Sequence, residues 1–420
     1  MKCIYSVIIA FVNILLKFLS LINFIFSPGS KFGKFVMGQR FVFSEIEKDL
    51  ENLRKSKNRI WIHAASLGEY GVARPIIKRL KQEQECTIIL TFFSSTGYEV
   101  LKNKPADADF VFYLPLDTRH NARKFLKLIN PKQAIFIISE FWINYLSELK
   151  KREIPTYIIS AIINKKSAFF KWYGPMFTKS LAAFTRFFVL DKNSKEHLAE
   201  LGYSNADVTG DPLFDNVMAI TETPYKNPVI ERFANGEKLF IVGSISDIND
   251  IRLATDLANS NSDTRFIFVP HEINEEFMQA MCKNLQNKAI RYTSCNDDTD
   301  FSDCQILIID YIGELAYLYR YGTWAYVGGG FTPYLHSIIE ATAYGLPVSF
   351  GPMIHRKVTP AEMIKFGIGS IVHNSEELNN WFKELKTNNI KLEQIKNTAL
   401  EYAKSSSGAT KNIINELTKI

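Results

Sequence analysis

Two glutamates stand where short apolar runs give way to helix-like patterns. Ile60–Ala64 leads into Ala65-Ser66-Leu67-Gly68-Glu69-Tyr70-Gly71, and Ala134–Ile138 leads into Ser139-Glu140-Phe141-Trp142. Apolar flanks on both sides set these carboxylates apart from ordinary solvated charges. A carboxylate partly withdrawn from water has a raised pKa and can take a proton from a substrate hydroxyl as a general base. The competing reading is that each glutamate accepts N–H groups at a helix N-terminus. Gly68 and Gly71 around Glu69 read as a tight strand-to-helix turn with the carboxylate at its tip. The loop Thr91-Phe92-Phe93-Ser94-Ser95-Thr96-Gly97 occupies another strand end; Ser94 and Ser95 could hold a sugar or an anion, or act as plain N-caps. Asp107-Ala108-Asp109 has the outline of a DxD metal site, but it precedes its strand and reads as a solvated loop.

In the second half, Tyr326-Val327-Gly328-Gly329-Gly330-Phe331 is followed by the helix-compatible His336-Ser337-Ile338-Ile339-Glu340-Ala341. Glycines between a strand and a helix let backbone N–H groups approach a phosphate, with the helix dipole behind them. A close-packed turn is the alternative. The pattern is neither GxGxxG nor GxxxxGKS, so dinucleotide and P-loop readings fail. Glu340 could reach ribose hydroxyls. Three more polar loops follow strand-like runs: Gly243-Ser244-Ile245-Ser246, Val269-Pro270-His271-Glu272 and the basic Gly351–Lys357. Convergence of four such loops on one edge indicates an anionic ligand, with His271 the leading side chain against the alternative of a capped, satisfied histidine.

The elements that must position these residues alternate. Strand-like runs at Ile60–Ala64, Thr87–Phe92, Phe110–Leu114, Ala134–Ile138, Thr156–Ser160 and Arg186–Leu190 are separated by helical patterns such as Val72–Lys81 and Asn121–Leu128. The rhythm breaks near Gly210–Asp215 and restarts with Leu239–Val242, Phe266–Val269, Ala289–Tyr292, Ile306–Ile309, Trp324–Val327 and Val348–Phe350. Such alternation predicts parallel sheets with crossover helices, here twice over. Leu392–Ile420 reads as terminal helix interrupted at Ser405–Gly408. The 420 residues suit two domains, and 46% hydrophobic against 22% charged residues exclude disorder. Fifty basic against 44 acidic residues, net +6, is too mild and dispersed for a nucleic-acid binder. Five cysteines without CxxC spacing fit neither a disulfide scaffold nor a structural zinc site.

Ile4–Phe26 is largely apolar and stops at Ser27-Pro28-Gly29; Ser6, Asn13, Lys17, Ser20 and Asn23 fall on one helix side. A helix of that length spans roughly 35 Å, slightly more than a bilayer core. Lys17 near its middle leaves a spanning helix and one lying in the interface both open, with residues 1–28 read as the anchor or interfacial helix. Phe24-Ile25-Phe26-Ser27 lacks a small-residue cleavage site, and Lys31, Lys34 and Arg40 keep the remainder of the chain on the cytoplasmic side.

The motifs resemble those of the 3-deoxy-D-manno-octulosonic acid (Kdo) transferases of lipopolysaccharide assembly. Trp61-Ile62-His63-Ala64-Ala65-Ser66-Leu67-Gly68-Glu69 is similar to the family's WxHAxSxGE signature, and Ser139-Glu140-Phe141-Trp142-Ile143-Asn144 to its (T/S)E(L/F)WPN segment, with Ile143 replacing proline. Gly313-Glu314-Leu315 with Tyr326–Gly329, and Glu340–Val348, are similar to its GEL…GGS and EPAAxGxPV stretches. The resemblance implies a GT-B fold: two Rossmann-like parallel-sheet domains facing each other across a cleft, an acceptor domain at 29–212 and a donor domain at 213–420 whose terminal helix can cross back. It implies an inverting enzyme that moves Kdo from CMP-Kdo to a lipid A precursor on the cytoplasmic face of the inner membrane, without metal or other cofactor and without nucleic acid. Glu69 is then the general base and Glu140 positions acceptor or base. Ser66, Gly68, Ser94 and Ser95 would meet the acceptor; Gly243, Ser244, His271, Gly328, Gly329, Gly330 and Glu340 would meet the donor. A transferase using a UDP-sugar on a lipid acceptor and a nucleotide-sugar 2-epimerase are the alternatives on the same architecture.

Overall fold

The computed structural model describes residues 5–16, 30–102, 107–354 and 358–418. The chain divides into two compact units, Met1–Asn216 with Ser407–Ile420, and Val217–Ser406. Each is built on a seven-stranded, wholly parallel sheet with helices between successive strands, as the alternating pattern predicts.

The first sheet contains β1 (Arg59–His63), β2 (Thr87–Phe92), β3 (Phe110–Tyr113), β4 (Gln133–Ile137), β5 (Thr156–Ala161), β6 (Arg186–Val189) and β7 (Ala206–Val208). Their spatial order is β3-β2-β1-β4-β5-β6-β7. The second contains β8 (Leu239–Ile245), β9 (Arg265–Pro270), β10 (Lys288–Arg291), β11 (Cys304–Ile308), β12 (Gly322–Val327), β13 (Val348–Phe350) and β14 (Gly369–Ile371), in the order β10-β11-β9-β8-β12-β13-β14. In each sheet the order reverses beside the first strand, at β1/β4 and at β8/β12, and open parallel sheets bind ligands at such switch points. The edge strands β7 and β14 are absent from the sequence expectation because Ala206-Asp207-Val208 and Gly369-Ser370-Ile371 are not apolar runs.

Strands covered by helices on both faces must be apolar throughout, which is why β1, β4 and β5 are buried along nearly their whole length. The first core centres on Trp61, whose ring meets Phe125 and Phe136 edge-on, each at 5.1 Å. The predicted terminal helix is two helices, Asn389–Ser405 and Ala409–Leu417, broken at Gly408, whose φ of +108° suits glycine. The last helix buries Ile413, Ile414 and Leu417 in the first unit's core, and Glu416 pairs with Arg186 at 2.7 Å. Asp215 accepts the N–H groups of Gly408 and Thr410 at that helix's start.

Residues 5–16 are helical and dock on the first unit through Tyr5 Oη to Asp117 (2.7 Å) and Ser6 Oγ to Asn144 (3.1 Å). The remainder of the apolar run, residues 17–29, lies outside the described residues. No helix among the described residues is long and apolar enough to cross a membrane.

Candidate active site

β1 and β4 are hydrogen-bonded neighbours, with Ile60 opposite Gln133 and His63 opposite Phe136, although β2 and β3 intervene in the chain. That pairing brings the two loops bearing Glu69 and Glu140 to one carboxyl edge at the switch point. Ser66 is the N-cap of the helix Leu67–Glu83; its Oγ accepts the Glu69 N–H at 3.4 Å, while a Glu69 carboxylate oxygen accepts the Ala65 N–H. The spacing Ser66-x-x-Glu69 is thus a capping arrangement, and the helix-capping reading of Glu69 holds. It does not exhaust the residue. Burial, and then the charge of Glu140, push the Glu69 carboxyl from the ordinary 4.5 to about 8, against the opposing pull of the Ala65 and Ser66 N–H groups. The turn itself differs from the expectation. Gly68 and Gly71 lie inside the helix, not in a tight turn, and neither has a positive φ. Ala65 and Ser66 make the turn, and among the described residues a Cβ on Gly68 would meet Ser66 Oγ alone, in ordinary contact at 3.9 Å.

Glu140 is held by two residues that stand in the quoted motifs without a role assigned to them, Trp142 and His63. Its Oε2 accepts from Trp142 Nε1 at 2.5 Å and lies 3.2 Å from Nε2 of the fully buried His63. His63 Nδ1 lies 2.9 Å from Thr91 Oγ1, which accepts the Trp61 indole N–H at 2.8 Å. A signal for them is readable: His63 and Thr91 are polar residues within otherwise apolar strand runs. Just before the Glu140 loop, Ile138 takes φ +62°, a conformation costly for a β-branched side chain at about 1–3 kcal/mol and one that gathers at functional sites. Phe93 packs on Trp142 at 5.0 Å and Phe35 on Phe93 at 5.0 Å, making an aromatic wall beside the carboxylates. Ser94 caps the helix Ser95–Leu101 without a side-chain bond, and its N–H binds Ala65 O at 2.7 Å, which places it beside the Ser66 turn. Ser95 is buried in that helix. Asp107 pairs with Arg74 at 3.0 Å and Asp109 with Lys81 at 2.8 Å, so this loop is ion-paired, not simply solvated.

The second unit gathers its expected residues at the β8/β12 switch point. Gly328 N–H donates to Gly243 O at 2.9 Å, and Gly329 N–H donates to Asp250 Oδ2 at 2.9 Å. Two N–H groups expected to face a phosphate are therefore spent inside the protein. All three glycines are demanded by packing: a Cβ on Gly328 would lie 2.3 Å from Ser244 O, on Gly329 2.5 Å from Tyr334 O, and on Gly330 2.5 Å from Gly351 N. Ser244 itself takes φ +55°. The organiser is Asp250, which no sequence motif singles out: fully buried, it accepts from Ser246 N and Oγ (3.0 Å each), Tyr326 Oη (2.7 Å) and Gly329 N. The turn carries His336 against His271, ring centroids 4.1 Å apart, with His271 exposed at the end of β9. Glu340 accepts from Ser337 Oγ; burial, and then the Glu340 charge, raise the Tyr319 phenol, whose buried hydroxyl has no hydrogen-bond partner among the described residues and would lie 2.1 Å from a Cβ on Gly243. His355, Arg356 and Lys357, the basic part of the fourth loop, lie outside the described residues.

Comparison with known proteins places these motifs. Residues 37–216 match the sequence model of the family described as 3-Deoxy-D-manno-octulosonic-acid transferase (kdotransferase). The chain is 27% identical over 339 residues to the 3-deoxy-D-manno-octulosonic acid transferase of Aquifex aeolicus, covering 78% of this chain and 86% of that protein. Among solved structures, the UDP-GlcNAc 2-epimerase of Neisseria meningitidis superposes with a TM-score of 0.61 at 15% identity, covering 86% of this chain and all of that one. Acinetobacter baumannii MurG gives 0.54 at 15% identity, with 87% and 100% covered. These two likenesses are of fold, and with the pair of seven-stranded parallel sheets they make the architecture GT-B type. The chain is thus similar to 3-deoxy-D-manno-octulosonic acid transferases over most of its length, and residues 37–216 are the part that matches that family's model.

Proposed function

We propose that the protein is an inverting glycosyltransferase that moves Kdo from CMP-Kdo to a lipid A precursor, lipid IVA, at the cytoplasmic face of the inner membrane. The observation that carries this reading is Glu69: a carboxyl poised at about 8 beside Glu140, at a switch point. A base with that pKa is well matched to a sugar hydroxyl at near-neutral pH. Glu69 takes the proton as the acceptor oxygen attacks the anomeric carbon of Kdo, and the bond from that carbon to the CMP phosphate breaks with the electron pair leaving on phosphate. Attack opposite the leaving group inverts the centre. The loops at the β8/β12 edge, with exposed His271, offset the charge on departing CMP. No metal is assigned a role. For the membrane, Val7, Ile8, Phe11 and Ile14 expose apolar surface on the helical residues 5–16, and the basic Lys34 and Arg40 come after them in the chain.

The test is the mass of the lipid product after incubation of the intact protein with CMP-Kdo and lipid IVA in detergent. Gain of one or more Kdo residues is the expected result. No gain, together with solvent hydrogen exchange into a nucleotide sugar in the absence of acceptor, would replace the transferase with an isomerase.

A further inference from the structure

Four residues of the first unit form a buried polar chain that the catalytic reading above does not use. Trp61, His63 and Thr91 are fully buried, and the chain ends at Glu140. The direction of its hydrogen bonds follows from chemistry. An indole N–H can only donate, so Thr91 Oγ1 must accept from Trp61 at 2.8 Å. The hydroxyl's own proton then has two acceptors in reach, His63 Nδ1 at 2.9 Å and Ile62 O at 3.5 Å, and the nearer is the ring nitrogen. The other end decides the ring: Glu140 Oε2, a carboxylate oxygen, can only accept, and it lies 3.2 Å from Nε2. Nδ1 is therefore an acceptor, the neutral ring carries its proton on Nε2, and that N–H points at Glu140 Oε2. Trp142, a second donor-only indole, meets the same oxygen. Both ends of the network are fixed by groups that cannot reverse.

We propose that His63 is a positioning residue for the carboxylate pair: the relay Trp61–Thr91–His63 delivers an N–H to Glu140 Oε2 and holds that carboxylate in its place beside Glu69. With the opposite tautomer, a bare Nε2 would face a carboxylate, and the contact would be relieved only by placing a proton between them. The Glu140 charge held in that place opposes ionisation of the buried Glu69. Packed on the ring are Phe136 from β4 and Trp142, each with its ring centroid 6.0 Å away, with Thr91 from β2 and the titratable Glu140; Glu69 is felt through Glu140. The relay spans two strands, β1 and β2, and reaches the loop after β4, because β1 lies between β2 and β4.

The proposal rests on the transferase reading for its kinetic arm and not for its spectroscopic one. The kinetic arm is the pH profile of kcat/KM for His63→Gln, His63→Phe, Thr91→Ser and Thr91→Val. His63→Gln keeps an N–H near the Nε2 position and Thr91→Ser keeps the hydroxyl, so both hold the acidic limb in place. His63→Phe and Thr91→Val let the Glu140 charge move off Glu69 and so bring that limb down by about one pH unit, which is about a tenfold gain in rate at a pH below it, with the high-pH plateau largely kept. A purely structural role lowers the rate at every pH and leaves the limb where it was, and that result would overturn the proposal. If the phenylalanine variant does not fold, the Thr91 pair reads the same quantity. The spectroscopic arm is ¹⁵N NMR of the unaltered protein, with the His63 signal identified by its loss in His63→Gln. A protonated Nε2 and bare Nδ1 are expected, and a protonated Nδ1 would refute the relay. Absence of any Kdo transfer by the unaltered protein would count against the transferase reading alone.

Discussion

Replacing Glu69 by Gln should make the protein more stable and nearly inactive at once, and the size of the first effect follows from the site. The Glu69 carboxyl keeps its proton to about pH 8 in the folded chain and releases it near 4.5 when unfolded. Between those values the folded state binds the extra proton, so stability falls as pH rises through the window, by about 1.4 kcal/mol per pH unit. The contribution is whole below 4.5 and lost above 8, where the deficit reaches about 5 kcal/mol, with about 3 kcal/mol gone by pH 7. Glutamine resembles the protonated acid, can still accept the Ala65 N–H, and has no charge to oppose Glu140. Glu69→Gln should therefore match the parent to within about 1 kcal/mol at pH 5 and exceed it by several at pH 9. Urea denaturation of the intact chain at both pH values, followed by tryptophan fluorescence, measures the gap. Transfer should fall by at least about 100-fold, the lower end for loss of a general base. Equal stability at pH 9, or a gap as large at pH 5 as at pH 9, would show that burial and Glu140 do not hold the proton on Glu69.

Two further outcomes are expected. Gly68→Ala should leave stability unchanged or raise it by up to about 1 kcal/mol, since the helix gains a better former and among the described residues the new methyl meets Ser66 Oγ alone, at 3.9 Å; the KM for lipid acceptor should rise at least about tenfold, and an unchanged KM would remove Gly68 from the acceptor site. Asp250→Asn should cost about 2–4 kcal/mol, read as a lower urea midpoint, because an amide cannot accept all four of the donors that Asp250 satisfies. It should also abolish the thermal stabilisation by CMP, about 2.7 kcal/mol at 100 times Kd in the parent. UDP should give little in either protein, and a CMP shift that survives the substitution would place the nucleotide away from the glycine turn.

The features legible in the residues alone are local ones. Apolar runs such as Thr87–Phe92 and Val348–Phe350 mark their strands to the residue, because a doubly covered parallel strand must be apolar along its length. The edge strands β7 and β14 escape, since Ala206-Asp207-Val208 and Gly369-Ser370-Ile371 mix polar or small residues with a single large apolar one. The strand-end position of Glu69 is equally legible from the apolar run Ile60–Ala64 before it, whereas the helix start at Leu67, capped by Ser66, is hidden by Gly68 and Gly71, which read as a turn. The two-unit α/β architecture follows from the interruption and restart of the same rhythm.

Adjacency, by contrast, comes only with the folded chain. His63 and Glu140 are 77 residues apart and meet because β1 pairs with β4 as well as with β2, and periodicity says which face is apolar but not which strand lies beside it. The raised Glu69 pKa is a property of that adjacency, being burial plus a charge from another loop. Asp250 is an ordinary residue of a helix's first turn until Tyr326, Ser246 and Gly329 close around its carboxylate. The glycine turn reads as a phosphate cradle because glycines permit close approach, but what approaches is Ser244 O, Tyr334 O and Gly351, and that is knowable only once β8, β12 and β13 are neighbours.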